Sequence, residues 1–490
     1  MHKKLLELLQ KLESADWNRL EKFMHSPFFN ESELMCRHFE YLLQFAPDFG
    51  DEKLNAEACF NFHFPDKPFD KAVVNKLNSQ LFKLLENFLS HQQLENDNFE
   101  KDYQLLQYYE REMLHKHYES TFKRLSQMQE ASGLQDLNKF RQELLLASSY
   151  SEYLSKQDNR VGDVNIQGVN NALDVYFLLF KLVLFNMMVT RKNFANVDYN
   201  LTWMEEILEY LDKSVYKNIP AIQLYREVLL MQQFPEKKQH YLRLKALLLE
   251  FGSQLPLHEI QNFYTYLENT VKHIFPIPQY YEELFSLYQL QLEQGSIYLD
   301  GYLSHSHYRN IALAALNLKK FDWVESFIQN HRQRVIPASF SEDAYHLNMA
   351  NLLYAKAMYR EAHEQLLQAN PTDIYYKLGH KSLLARIYFE LKELEVLENY
   401  LNSFTKFIFD QKSKISKAKV DSYRLFINYF RKLIKAIQNH PELISVYNSG
   451  AILRSEQGKK SFKKLLRQIH KENVFYGKQW LLEQIGELVG

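Results

Sequence analysis

Glycine and proline are scarce in this chain, at 13 and 12 of 490 residues, and no stretch is rich in Gly, Ser or Pro. That excludes flexible joints between separate globules, because linkers need those residues to stay unfolded or extended. Cysteine occurs only as Cys36 and Cys59. Two thiols cannot frame so long a chain with disulfides, so both are read as free and the compartment as reducing. Closely spaced glycines are missing too: neither GxxxxGK[ST] nor GxGxxG occurs, and backbone N–H groups cannot approach a phosphate without them. His258-Glu259 and His363-Glu364 lack the second histidine of HExxH, and no GxSxG elbow exists. The reading is of a non-enzymatic chain with no cofactor and no metal.

Long apolar runs are also absent. The most apolar segment, Val175–Val189, is interrupted by Lys181 and Asn186 and is shorter than the roughly 20 residues a spanning helix needs. A buried helix is expected there, without membrane insertion. Met1 to Ser14 reads MHKKLLELLQKLES, alternating charged and apolar residues where a secretory signal would have an uninterrupted apolar core. A soluble, cytoplasmic protein is the expectation.

What is abundant is aromatic and apolar. Hydrophobic residues make up 46% of the chain and aromatics 14%, with 32 Tyr and 35 Phe, which supply large buried areas at helix contacts. A single core stops growing near roughly 250 to 300 residues, so this chain must divide or repeat, and the lack of linkers favours repetition. Periodicity is helical throughout. Val73, Val74, Leu77, Leu81, Leu84, Leu85, Phe88 and Leu89 draw one stripe after Asp70, and Tyr423, Phe426, Tyr429, Phe430, Leu433, Ile434 and Ile437 draw another. No sustained period-two pattern flanked by hairpin turns is present. Asn30 with Glu33 resembles a capping box, Pro220 suits a first helical turn, and Pro371 and Pro441 mark places where a helix has ended. Longer connections are expected near Pro47–Ala56, His63–Phe69, Gln157–Asp163 and Gly295–Gly301.

A repeat emerges in the second half. KKFDWVESFI around Phe321, MYREAHEQLL around Tyr359 and LKELEVLENYL around Leu394 share one apolar pattern, spaced by 38 and then 35 residues, each preceded by another helical segment. Asn348 to Pro371, with Ala350, Tyr354, Tyr359, Ala362 and Ala369, resembles a tetratricopeptide repeat, over about Tyr308 to Phe404. The family's Trp and Gly of the first helix are missing, and Leu397 stands where a small residue is usual. The whole chain, including SPFFN at Ser26–Asn30 and Trp480-Leu481-Leu482, also resembles large helical proteins of the Bacteroidota, a resemblance that implies no activity. The expected fold is therefore all-α, with antiparallel helix pairs stacked into a tetratricopeptide-like α-solenoid. Residues 1–95 form an N-terminal helical region, 96–300 helical pairs, 301–410 the repeats, and 411–490 a basic C-terminal cap.

The resemblance implies a peptide-binding concave wall built by first helices. Asn310 and Asn348 each lie eleven residues before a second helix, a position at which such repeats often bond a peptide backbone, and Arg309 is placed to meet a carboxylate. A protein or peptide partner is the expected ligand. The alternative is nucleic acid. Between Lys412 and Lys471 there are 15 Lys and Arg against three acids, leaving 44 basic and 57 acidic residues elsewhere. Lys459, Lys460, Lys463, Lys464, Arg467 and Lys471 surround a stripe of Phe462, Leu465, Leu466 and Ile469, giving a candidate polyanion face, with an ordinary solvated face as the plain alternative. Three further clusters are weighed as metal sites and set aside. Cys36 with His38 and Cys59 with His63 lack zinc-finger spacing and read as buried thiols. Glu112, His115 and Glu119 lack the second copy a di-iron bundle requires. His305 and His307 near Asp300 read as a solvated connection.

Overall fold

The computed structural model describes residues 3–157, 162–195, 197–439, 444–445, 447–448 and 456–489; the side chains of 193–195, 456–458 and 489 are not part of that description. The stop at Pro441 and the middle of the Gln157–Asp163 connection lie outside the described residues. Within them the protein is all-α, with 23 helices and a single pair of two-residue parallel strands, Leu303–Ser304 and Val335–Ile336.

The chain forms two compact units, one comprising 1–133 with 142–170 and the other 134–141 with 171–490. The first holds α1 (Lys3–Leu9), α2 (Ser14–Met24), α3 (Glu33–Leu43), α4 (Ala56–His63), α5 (Lys71–Asn96), α6 (Asn98–Arg111), α7 (His115–Ser132) and most of α8 (Leu137–Lys156). Helix α5 starts where the sequence indicates: Asp70 accepts the Ala72 N–H at 2.7 Å, and Val74, Leu77, Leu81, Leu85 and Phe88 are buried. At α3 the cap is Ser32, whose hydroxyl accepts the Met35 N–H. Asn30, the residue expected to cap, instead bonds the Met24 carbonyl and accepts from the Ser32 N–H. A two-residue approach segment separates it from the helix, so its side chain closes the preceding turn.

The second unit contains most of α9 (Ile166–Ala195), then α10 (Met204–Lys213), α11 (Pro220–Gln233), α12 (Lys238–Phe251), α13 (Leu257–Ile274), α14 (Gln279–Gln294), α15 (His305–Asn317), α16 (Phe321–His331), α17 (Ser341–Ala355), α18 (Tyr359–Gln368), α19 (Ile374–Glu390), α20 (Leu394–Asp410), α21 (Lys417–Gln438), α22 (Glu456–Lys471) and α23 (Lys478–Val489). From α11 to α21 each helix packs on the next, and α15 also meets α17, as α17 meets α19. One apolar cluster runs from Leu224 to Ile387 and another from Leu378 to Ile485. Each fully buried Leu, Ile or Phe in them contributes roughly 1.5 to 3 kcal/mol.

Helices α16, α18 and α20 open at Phe321, Tyr359 and Leu394, the three residues that the sequence spacing aligns. Their turns share one geometry. Lys319, Ala357 and Lys392, each two residues before the second helix, are left-handed (φ 57, 59 and 68). The next N–H reaches back five residues in each, Lys320 to Ala315, Met358 to Leu353 and Glu393 to Tyr388, as in a Schellman closure. The same turn joins α6 to α7, with Met113 at φ 57 and Leu114 N–H on Tyr109. The repeated hairpin therefore also occurs in the first unit, where no glycine announces it.

Candidate functional site

The basic face of α22 is built as the sequence indicates. Phe462, Leu465 and Ile469 are buried, Lys460, Lys463, Lys464, Arg467 and Lys471 are exposed, and Lys459 is half-buried. Along the described residues the last ion pair is Arg424–Asp421, so none of these cations is paired with a carboxylate among them.

The three residues expected to line a peptide groove are placed differently. Asn348 is fully buried on α17, where its Nδ2 donates to the Tyr308 carbonyl at 3.3 Å. It joins α17 to α15 rather than facing a ligand, because the close packing of first helices on one another covers this position. Asn310 is half-buried, accepts from Arg309 and hydrogen-bonds Tyr288. Arg309 stacks on the Tyr376 ring, 5.2 Å from its centroid, and its Nε has no partner among the described residues. Burial, then Arg309 and Lys272, push the Lys419 ammonium down. Asn348 thus serves packing between α15 and α17, while Asn310 and Arg309 are both only half-buried.

The metal candidates also sort themselves. His115 and Glu119 both meet the Tyr153 hydroxyl, while Glu112 pairs with Arg111. His305 stacks on Phe340, His307 turns to Ser304 and lies 3.9 Å from Glu268, and Asp300 is exposed. Cys36 donates to the Met24 carbonyl. His38, Cys59 and His63, however, converge, and among the described residues they are the one group of three potential metal ligands brought together.

Sequence reasoning missed a surface on α9 and α10. Helix α9 is 30 residues long, and within Ile166–Lys192 its most apolar 18-residue window has a mean hydropathy of 1.9 with only 33% of that window buried; by length and composition alone it could cross a membrane. The expectation of a buried helix is therefore corrected. Its inner face is fixed by Leu178, Leu179, Leu182 and Phe185, which pack with α10 and α11 residues, and by the buried Asn186, which donates to the Tyr225 carbonyl and accepts from Gln232. The opposite row, Leu173, Phe177, Phe180 and Met187, is exposed, with Leu184 half-buried between them. Those five alternate at spacings of four and three, the a/d pattern of a helix-docking seam. That spacing is legible in the sequence; its exposure is not.

Beside the seam lies a pocket of about 270 Å³ lined by Asp174, Phe177, Trp203, Glu206, Ile207 and Tyr210. Trp203, 56% exposed, precedes α10 in the left-handed region at φ 70, a conformation costly for a bulky side chain and found where a surrounding structure enforces it. The Lys181 ammonium stands 5.6 Å from its ring centroid. The Tyr216 hydroxyl donates to Asp174 at 3.2 Å. The pocket thus combines aromatic faces with two carboxylates, a lining that suits a partner's cationic side chain.

Comparison with protein-family models, with curated protein sequences and with solved structures finds no match to this chain.

Proposed function

We propose that the chain is a non-enzymatic protein-interaction scaffold, in which the helix pairs of the second unit stack as a tetratricopeptide-like α-solenoid and a partner's amphipathic helix docks along α9 and α10. The observation that carries the reading is the exposed a/d row of α9. Isolated exposed apolar residues need no explanation, but a contiguous row with helical spacing is the form taken by helix-in-groove recognition. The adjoining pocket with Asp174 and Glu206 would orient the partner by taking a Lys or Arg. The recurring left-handed turn and the contacts between alternate first helices support the solenoid part.

The test is site-specific photo-cross-linking in the native host, with a photoreactive residue at Phe177, Phe180 or Met187 and a control at Lys406 on α20. A single protein adduct from the three seam positions, absent at the control, supports the reading. Adducts to lipid alone, or none, overturn it. A second reading, nucleic-acid association through α22, is favoured by its exposed cations, unpaired among the described residues, and rests on that separate surface.

A further inference from the structure

We propose that His38, Cys59 and His63 are the protein ligands of a zinc ion that fastens α3 to α4 against α5. Cys59 and His63 are four apart on α4 and therefore share one face, and His38 reaches them from α3. His38 Nδ1 lies 3.1 Å from His63 Nε2 and 3.8 Å from Cys59 Sγ, and all three ligand atoms fall within 4.8 Å of one another. A tetrahedral zinc with bonds of roughly 2.0 to 2.1 Å to nitrogen and 2.3 Å to sulfur requires nitrogen–nitrogen and nitrogen–sulfur edges of about 3.3 and 3.6 Å. The two observed separations lie within about 0.3 Å of those edges. Two imidazoles and a thiolate suit zinc, and oxygen-seeking calcium or magnesium would be refused.

The surroundings select the tautomer that zinc needs. His38 Nε2 faces Asn78 Oδ1 at 3.3 Å. A carbonyl oxygen only accepts, so Nε2 carries the proton and the Nδ1 lone pair is turned towards Cys59 and His63. His38, Cys59 and Asn78 are fully buried and His63 nearly so. Tyr41 Oη, His63 Nδ1 and Asn78 Nδ2 are three of the eleven buried side-chain atoms left without a partner among the described residues, and all three border this cluster. Without an ion, the ring nitrogens share one hydrogen bond, from His63 Nε2 to His38 Nδ1; when zinc takes His63 Nε2 the proton passes to His63 Nδ1, which has no partner among the described residues in either state. With zinc, both imidazoles bind as neutral donors and the Cys59 thiol releases one proton as the sulfur–zinc bond forms. The fourth corner falls to a water, for which the Tyr41 hydroxyl, within electrostatic reach of Cys59, is the available partner. Phe60, Phe62 and Phe64 flank the cluster along α4 and its C-terminal end. Cys36, bonded to the Met24 carbonyl, is outside the set.

The full chain, stripped with a chelator, is titrated with zinc alone against a chromophoric competitor, and with cobalt(II) as an optical stand-in. One zinc per chain, intense visible bands of four-coordinate cobalt and a near-ultraviolet sulfur-to-cobalt band are expected. Cys36→Ser should change none of these. Cys59→Ser should abolish the sulfur band, and Asn78→Ala should weaken zinc binding by about 10- to 100-fold, with Asn78→Asp restoring it because a carboxylate accepts from His38 equally well. Unchanged circular dichroism keeps these readouts free of misfolding. No stoichiometric zinc uptake by the unaltered chain, or a sulfur band that survives in Cys59→Ser, would overturn the assignment and leave the neutral hydrogen-bonded cluster as the native arrangement.

Discussion

The indole N–H of Trp480 donates to the Tyr354 hydroxyl at 2.8 Å, joining residues 126 positions apart. Tyr354 donates in turn to Glu390 at 3.2 Å, while Trp480 packs edge-on against Phe389 and Phe430 and lies under the Arg386 guanidinium. Helix α23 is thereby tied to α17 and α19. Tyr354→Phe leaves the indole N–H unpaired and should cost about 1 to 3 kcal/mol. Trp480→Ala should cost about 3 to 5 kcal/mol through the cavity it opens. Denaturant unfolding of the two variants and their combination checks this; additive losses would mean that the two residues are not coupled.

Asn348 should matter to stability rather than to ligand affinity. Removing its side chain in Asn348→Ala leaves the buried Tyr308 carbonyl without that donor, and a loss of about 1 to 3 kcal/mol is expected. Asn310→Ala, at a half-buried position, should cost less. Equal and negligible effects in thermal melts would contradict the placement of Asn348 between α15 and α17.

Two buried carboxyls predict how stability varies with pH. Burial raises Glu259 to about 7, opposed by a hydrogen bond from Tyr225, and raises Glu268 to about 7, opposed by Gln291 and Tyr288. Unfolded, each would release its proton near the ordinary value of 4.5. Between 4.5 and 7 the folded chain therefore holds protons that the unfolded chain has lost. Their stabilisation is complete below 4.5 and is lost as pH rises through 7. Glu259→Gln should flatten that slope and stabilise the protein above pH 7 by roughly 1 to 3 kcal/mol, since it avoids burying a charge. Unfolding midpoints measured across the window decide it.

The left-handed turns predict stabilisation by glycine. A non-glycine residue there costs roughly 1 to 2 kcal/mol, against about 0.5 to 1 kcal/mol of extra chain entropy lost by glycine. Ala357→Gly should thus gain up to about 1 kcal/mol, whereas Ala355→Gly, at the last residue of α17, should gain nothing and lose up to a similar amount. Thermal unfolding of this pair distinguishes a real left-handed turn from an ordinary helix end.

Polyanion binding, if α22 supplies it, should fall steeply with salt because each phosphate contact releases counterions. Reversing Lys460, Lys463, Lys464 and Arg467 to Glu should abolish it and leave helicity unchanged, since Phe462, Leu465 and Ile469 hold the helix in place. Retention assays on heparin and duplex DNA across a salt series measure both effects.

Local features were the legible ones. Asp70, Pro220, Phe321, Tyr359 and Leu394 all fall at helix starts because capping, proline geometry and apolar spacing act within a few residues. The left-handed turn at Met113 was hidden, since tertiary closure imposes it on a residue with no propensity for it. The burial of Asn348 and the exposure of Phe177 were hidden for a shared reason: periodicity names a face but not what covers it. The convergence at Cys59 was half-legible. Its four-residue spacing to His63 lies in the sequence, whereas His38 arrives from another helix and depends on packing.

The bond between Trp480 and Tyr354 also sets a timetable. Helices that pack on their immediate predecessors can dock as the chain leaves the ribosome, because each contact closes only a short loop. Tyr354 must instead wait for a residue made 126 positions later, a delay of about 6 to 25 s at roughly 5 to 20 residues per second. During that interval the faces of Tyr354, Phe389 and Phe430 that Trp480 will cover stay wet, and their apolar surface is open to other contacts until α23 has been made.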